Sequence, residues 1–504
     1  MGTAAWPKSP YPGLGDAVLT TLVLICALGV LPALAIVRRL LFAIPLAAAT
    51  TVIVSGLGAL VGTLLGVSIT ASVLVIAAIA DALAVWSLWR GRRTALVTWA
   101  RRDVLVSDGI MVCATVIPAV LLMTLFAPMP LGGDPIAIWW FHASWFYAGG
   151  ETTRHLIANP AVAYSHVNYP PGVPAAQAVA WVLHGGKDFP LAQDVSSILG
   201  GFAIAGVVLI LWSRQRTLGL MVAGAALIAA MSGLDMGLSA SGYMDLLNAT
   251  FVVTTGCALL YIQDRRLCLS MGCLCLAAAS LTKGEGLLFG VVVVAVALVW
   301  RRELRVRIFL LSALAIVPAI LWQLVVYSLN PNPYVDISAT DFLHLLGARD
   351  RGRLHVAAPH IFGASYPILF AATAVVGLLV VAALVRHPRG PSFPALAPAL
   401  GLLVLGYLTA LADALVYAAG RWPSVLSWLG ASLDRTILTS RIFGLTAIVA
   451  ALPLCMQLAY RPRGAAVEAE DGTGYLSAVE ASTETAMTSP ATSQGQGVFD
   501  AGDR

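Results

Sequence analysis

Residues 41–102 read LFAIPLAAATTVIVSGLGALVGTLLGVSITASVLVIAAIADALAVWSLWRGRRTALVTWARR. The runs 41–65 and 68–89 are each apolar and long enough to cross a hydrocarbon core, which takes about 20 residues. The second run ends on Arg90, Arg92, Arg93, Arg101 and Arg102. An apolar run followed by arginines recurs along the chain. Of 504 residues, 59% are hydrophobic and 11% charged, against roughly 25% charged in a soluble domain. So few charges cannot shield that much apolar surface from water, which excludes a string of soluble domains. The expectation is an all-α polytopic membrane protein. A net charge of +5 is small for this length and carries no nucleic-acid signal.

Thirteen apolar runs qualify as spans, near 16–37, 41–65, 68–89, 105–127, 190–212, 217–232, 243–262, 267–282, 285–300, 307–329, 364–385, 395–418 and 437–459. Arginine clusters at 38–39, 90–102, 214–216, 265–266, 301–307, 386–389 and 461–463 then all fall on one side, which the positive-inside rule makes cytoplasmic. The N-terminus is then outside and the C-terminus inside. Basic residues follow the first run and none cluster before it, so it does not read as a cleavable signal. All seven cysteines, Cys26, Cys113, Cys257, Cys268, Cys273, Cys275 and Cys455, lie in apolar runs and read as packing residues. The stretch after Arg463 is polar and small, and reads as a disordered cytoplasmic tail.

The outer loops carry the chemistry. After the fourth run comes PLGGDPIAIWWFHASWFYAGGE, residues 130–151. Asp134 precedes Pro135, which suits the start of a helix, and the tryptophans and tyrosine suit a helix lying in the membrane interface. By position Asp134 is an N-cap, a role that leaves room for chemistry. Glu151 is a second acid or only the end of that helix. His166 and Asn168 precede a stiff turn, Tyr169-Pro170-Pro171-Gly172. Asp245, at the mouth of a span, is expensive unless used, whereas Asp235 reads as solvated. Lys283 is one of three lysines and sits at a break between two apolar runs; it either pairs with Glu285 or holds a ligand. Arg435 either pairs with Asp434, reaches lipid headgroups, or meets a phosphate. In 330–363 the stretch 339–348 is amphipathic, and Arg349, Arg351 and Arg353 follow. It reads first as a surface helix with solvated charges, and second as a lid.

Five elements in order resemble the GT-C-fold membrane glycosyltransferases, among them bacterial protein mannosyltransferases and aminoarabinose transferases. They are Gly132-Gly133-Asp134 before an aromatic helix; His166-x-x-Tyr169-Pro170-Pro171; Gly242-Tyr243-Met244-Asp245; Thr282-Lys283-Gly284-Glu285-Gly286; and Asp434-Arg435. The resemblance covers roughly 105–460, with 1–104 as accessory transmembrane helices and 461–504 as the tail. It implies a GT-C-like bundle of about 13 spans with interfacial helices on the outer face of the bacterial plasma membrane. It implies an enzyme that moves a sugar from a polyprenyl-phosphate carrier to a cell-envelope glycan, lipid or protein, with inversion. Asp134 maps onto the family's general base. His166, Asn168, Tyr169, Tyr243, Asp245, Lys283, Glu285, Arg435 and Arg441 are the expected substrate-binding residues, with the cations on the leaving phosphate. No cofactor is expected. Asp134, Asp245 and Glu151 are the carboxylates available to a divalent cation, yet scattered over two loops they form no metal motif. A flippase for the lipid-linked sugar and a surface-polysaccharide polymerase or ligase are the alternatives. Against the flippase, the charges gather at the outer ends of spans and no duplicated halves are visible.

Overall fold

The structure is a computed structural model and describes residues 14–90, 102–125, 133–214, 224, 227, 243–331, 333, 348–386, 392–420 and 424–460. Of the run 217–232 all but 224 and 227, together with Asp235, Gly132, Gly242, the stretch 339–347 and the tail 461–504, lies outside the described residues. Helices account for nearly all of the described residues, with no strand among them. Ten helices among them are long and apolar enough to cross a membrane. The chain is therefore a multi-pass, all-helical membrane protein.

In chain order, α1 covers 14–37 and contains a π-helical stretch, Cys26–Val30; α2 is Leu40–Leu65, α3 Ile69–Arg90 and α4 Arg102–Leu125. α5 comprises a π-turn, Pro135–Trp139, and Trp140–Ala148; α6 is Gly150–Ala158, followed by a short 3₁₀ helix, Pro160–Ser165. α7 is Gly172–His184, α8 Phe189–Arg214, α9 Asp245–Tyr261, α10 Arg265–Thr282, α11 Gly284–Trp300 and α12 Arg305–Leu329. α13 is Ala348–Arg386, α14 Ser392–Ala419, α15 Val425–Thr436 and α16 Leu438–Tyr460. Residues 1–454 form one compact unit; of the second, 455–504, the described part is the end of α16.

The bundle is organised around α9, which is buried along its whole length and packs against α8, α10, α11 and α14. α9 and α11 are short for spans, and their N-terminal ends carry Asp245 and Glu285. Two glycines set the approach of the segments that carry polar residues. A Cβ on Gly286 would stand 2.2 Å from the Ala279 carbonyl oxygen and 2.3 Å from Asn248 Oδ1, so only glycine lets α11 close against α9 and α10. A Cβ on Gly172 would stand 2.7 Å from the Leu281 carbonyl oxygen, so the Pro170-Pro171 turn lies against the end of α10. α2, from the expected accessory region, packs against α7, α8 and α10 within the same unit.

The segment 348–363 corrects the loop expected there. It continues without a break into α13, a single 39-residue helix. Ala357, Ile361 and Leu369 recur at helical spacing and are buried with Ala410, Ala414 and Leu429 of α14 and α15. That packing carries the helix through the charged residues and through Pro359. Arg351 and Arg353 thus stand on a helix continuous with the span.

Candidate active site

Four junctions far apart in sequence deliver charged side chains to one place. Lys283 is the extended residue (φ −152°, ψ 153°) between α10 and α11. Its Nζ donates to Asp245 Oδ1 at 2.8 Å and pairs with Glu285 Oε1 at 2.9 Å. The side chains of Lys283 and Asp245 are 13% and 6% exposed, that of Glu285 33%. Burial alone would lower the Lys283 ammonium, but Asp245 and Glu285 more than offset this and hold it well above the usual lysine range. The expected pairing with Glu285 is present, and Lys283 pairs as well with the more deeply buried Asp245.

Arg435 occupies the last turn of α15. In place of Asp434, its guanidinium bonds Asp134 Oδ2 at 2.5 Å, across 301 residues of chain. It also lies over the Tyr243 ring, 4.6 Å from the centroid, a cation–π contact. Asp245 acts on Arg435 electrostatically, which joins the two ion pairs into one cluster. Asp134 departs from its expected cap role. Its backbone is already helical (φ −62°, ψ −43°), and its side chain makes no capping bond. A cap residue takes extended angles; here the carboxylate turns instead to the guanidinium.

The His166–Tyr169 segment forms a wall beside this cluster. His166 takes a left-handed conformation (φ 52°), rare for a residue with a side chain, and turns the chain out of the 3₁₀ helix. Its ring stacks on Tyr169 at 4.9 Å, and Tyr169 meets Trp139 of α5 at 5.4 Å. α12 clamps the backbone: Trp322 Nε1 donates to the Tyr169 carbonyl at 2.9 Å and Gln323 Nε2 to that of Asn168 at 2.6 Å. Asn168 Oδ1 is buried without a hydrogen-bond partner. Tyr169 acts electrostatically on Lys283, so the wall reaches the cluster.

Two expected members stand apart. Arg441, in the first turn of α16, donates to the Ala364 carbonyl of α13 at 2.9 Å. Glu151 faces His155 at 3.0 Å and Arg154 at 3.8 Å along α6. Among the described residues no three His, Cys, Asp or Glu side chains gather as a metal site would require.

Two residues that sequence reasoning passed over belong here. Asp413 is fully buried in α14, with neither carboxyl oxygen hydrogen-bonded, within electrostatic reach of Glu285 and Lys283. Its signal was present: it is the single acid in the apolar stretch Leu396–Ala419. His142 is buried in α5, 3.4 Å from Ser165 Oγ. Burial, and then the nearby His166, push its imidazole down to about 3, so it is neutral.

The arrangement offers an exposed carboxylate beside a guanidinium, backed by a buried lysine–carboxylate triad. Such a site can exchange one anion for another on Arg435 while the triad holds its shape. Compared with family models, with curated proteins and with solved structures, the chain matches none.

Proposed function

We propose that the chain is a GT-C-type glycosyltransferase of the bacterial plasma membrane. In this reading thirteen spans place the N-terminus, the aromatic helices α5 and α6 and the charged cluster on the outer side. The enzyme moves a sugar from a polyprenyl-phosphate carrier to an envelope glycan, lipid or protein. The observation that carries the reading is the meeting of Asp134, Tyr243, Asp245, Lys283, Glu285 and Arg435, from four separate junctions, in one cluster.

The chemistry follows from how each pair is held. A guanidinium binds phosphate by a fork of two hydrogen bonds, so the donor phosphate displaces Asp134 from Arg435. The freed carboxylate then takes the acceptor hydroxyl proton as that oxygen bonds to the anomeric carbon. The bond from the anomeric carbon to the phosphate oxygen breaks, and its electrons leave with polyprenyl phosphate, stabilised by Arg435. Attack opposite the leaving group inverts the anomeric centre. Lys283 keeps Asp245 occupied, so that Asp245 does not compete for Arg435.

The test uses the purified chain in lipid discs with a labelled polyprenyl-phosphate hexose and an envelope extract as acceptor. The expected result is released polyprenyl phosphate and an inverted glycoside. A second reading, a carrier for the intact lipid-linked sugar, is favoured by one observation, the buried Asp413 inside an apolar helix. Intact donor crossing a vesicle bilayer without cleavage would establish that reading in place of the first.

A further inference from the structure

Among the described residues of this neighbourhood, Asp413 is the one acid with neither an ion-pair nor a hydrogen-bond partner. Its side chain is 0% exposed, and both oxygens lack a hydrogen bond. Every other acid of the cluster has a cation: Asp134 has Arg435, and Asp245 and Glu285 share Lys283. The groups acting on Asp413 are Glu285 of α11 and Lys283 of the α10–α11 junction. One turn along its own helix is Tyr417, whose hydroxyl is already bonded to Ser432 and Thr436 of α15. α9 contributes Asp245, held by Lys283, and α15 contributes Arg435, held by Asp134. α13 meets this stretch of α14 with Ala357, Ile361 and Leu369, all apolar.

An ionised carboxylate stripped of water and hydrogen bonds is costly. Here it would also be a third negative charge facing one ammonium. We propose that Asp413 is the proton-holding residue of the site: a neutral carboxylic acid at rest, whose ionisation draws Lys283 off Asp245 and so withdraws Arg435 from an anionic ligand. Glu285 is the member of this group that reaches solvent, with a side chain 33% exposed. The proton passes from Asp413 to the Glu285 carboxylate and from there to water. Asp413 is thus a positioning residue, acting on the ligand through Lys283, Asp245 and Arg435. Its effect on ligand binding rests on the phosphate-binding reading above; its neutrality does not.

Two measurements on the full chain in lipid discs keep those apart. The first is infrared difference spectroscopy across a pH jump. Wild type and Glu285→Gln are expected to show the carbonyl band of a protonated carboxylic acid, and Asp413→Asn is expected to lose it. A wild-type spectrum without that band, or one unchanged in Asp413→Asn, overturns the proposal whatever the protein's activity. The second is binding of a short-chain polyprenyl phosphate from about pH 7 to about pH 10, above the second ionisation of the phosphate itself. Wild-type affinity is expected to fall with rising pH by up to about tenfold per unit, the slope of a one-proton linkage. Asp413→Asn is expected to stay flat and tight. The same fall in Asp413→Asn, or a flat wild type, overturns the coupling. No binding by either protein at any pH overturns the phosphate reading, and the infrared result then decides the proton claim alone.

Discussion

Lys283 and Arg435 are both cations held by acids, but the holding differs. Lys283 is buried between two carboxylates, one of them 6% exposed. Arg435, itself 16% exposed, is bonded by one carboxylate whose side chain is 43% exposed, with Asp245 acting on it without a direct bond. A buried pair that loses one partner leaves an uncompensated charge in a poor solvent. A partly exposed pair that parts can be rehydrated at little cost. The first half of the cluster is accordingly a scaffold, and the second is where one anion can replace another.

The largest expected consequence is in stability. Lys283→Ala strands Asp245 and should destabilise the protein by about 3–5 kcal/mol, read as a lower melting temperature in detergent. Adding Asp245→Asn should restore much of that loss. Equal melting of wild type and Lys283→Ala would break the distinction between the two halves.

A second expectation concerns pH. The imidazole of His142 is held down at about 3, against a usual value near 6.5. Between those values the unfolded chain binds a proton that the folded chain does not. Stability should therefore fall as pH drops from about 6.5 toward about 3, by roughly 1.4 kcal/mol per unit from this residue. His142→Phe should flatten that part of the stability curve; an unchanged slope would place the acid sensitivity elsewhere.

The smallest expected effect is at the exchangeable pair. Arg435→Lys keeps the charge but loses the fork and the planar contact with Tyr243. It should cost about 1 kcal/mol or less in stability, while weakening polyprenyl-phosphate binding more clearly. Tight binding by the lysine variant would show that charge alone suffices at this position.

Much of the fold is legible in the sequence because a span is a local object. The runs near 41–65, 190–212 and 395–418 coincide with α2, α8 and α14 to within a few residues at each end. The N-terminal turns of α13 lay outside the apolar run near 364–385; the packing of Ala357 and Ile361 that extends the helix there comes from α14 and α15. The site was legible as residues and not as pairs. The breaks at Asp134, Lys283 and Arg435 are visible in the chain, but that Asp134 meets Arg435 depends on the path of the whole bundle. Asp413 was legible as the single acid of its apolar stretch, but not that the charged groups around it are already partnered.

Asp134 carries the central claim, and asparagine separates its candidate roles. Asp134→Asn keeps the shape and a hydrogen bond to Arg435 but cannot take a proton. Transfer from a polyprenyl-phosphate sugar by purified Asp134→Asn, with melting temperature and donor binding measured alongside, is the direct test. Folding and donor binding should stay close to wild type, and transfer should drop on the order of a hundredfold or more. Transfer at the wild-type rate would contradict the assignment of Asp134 as the base.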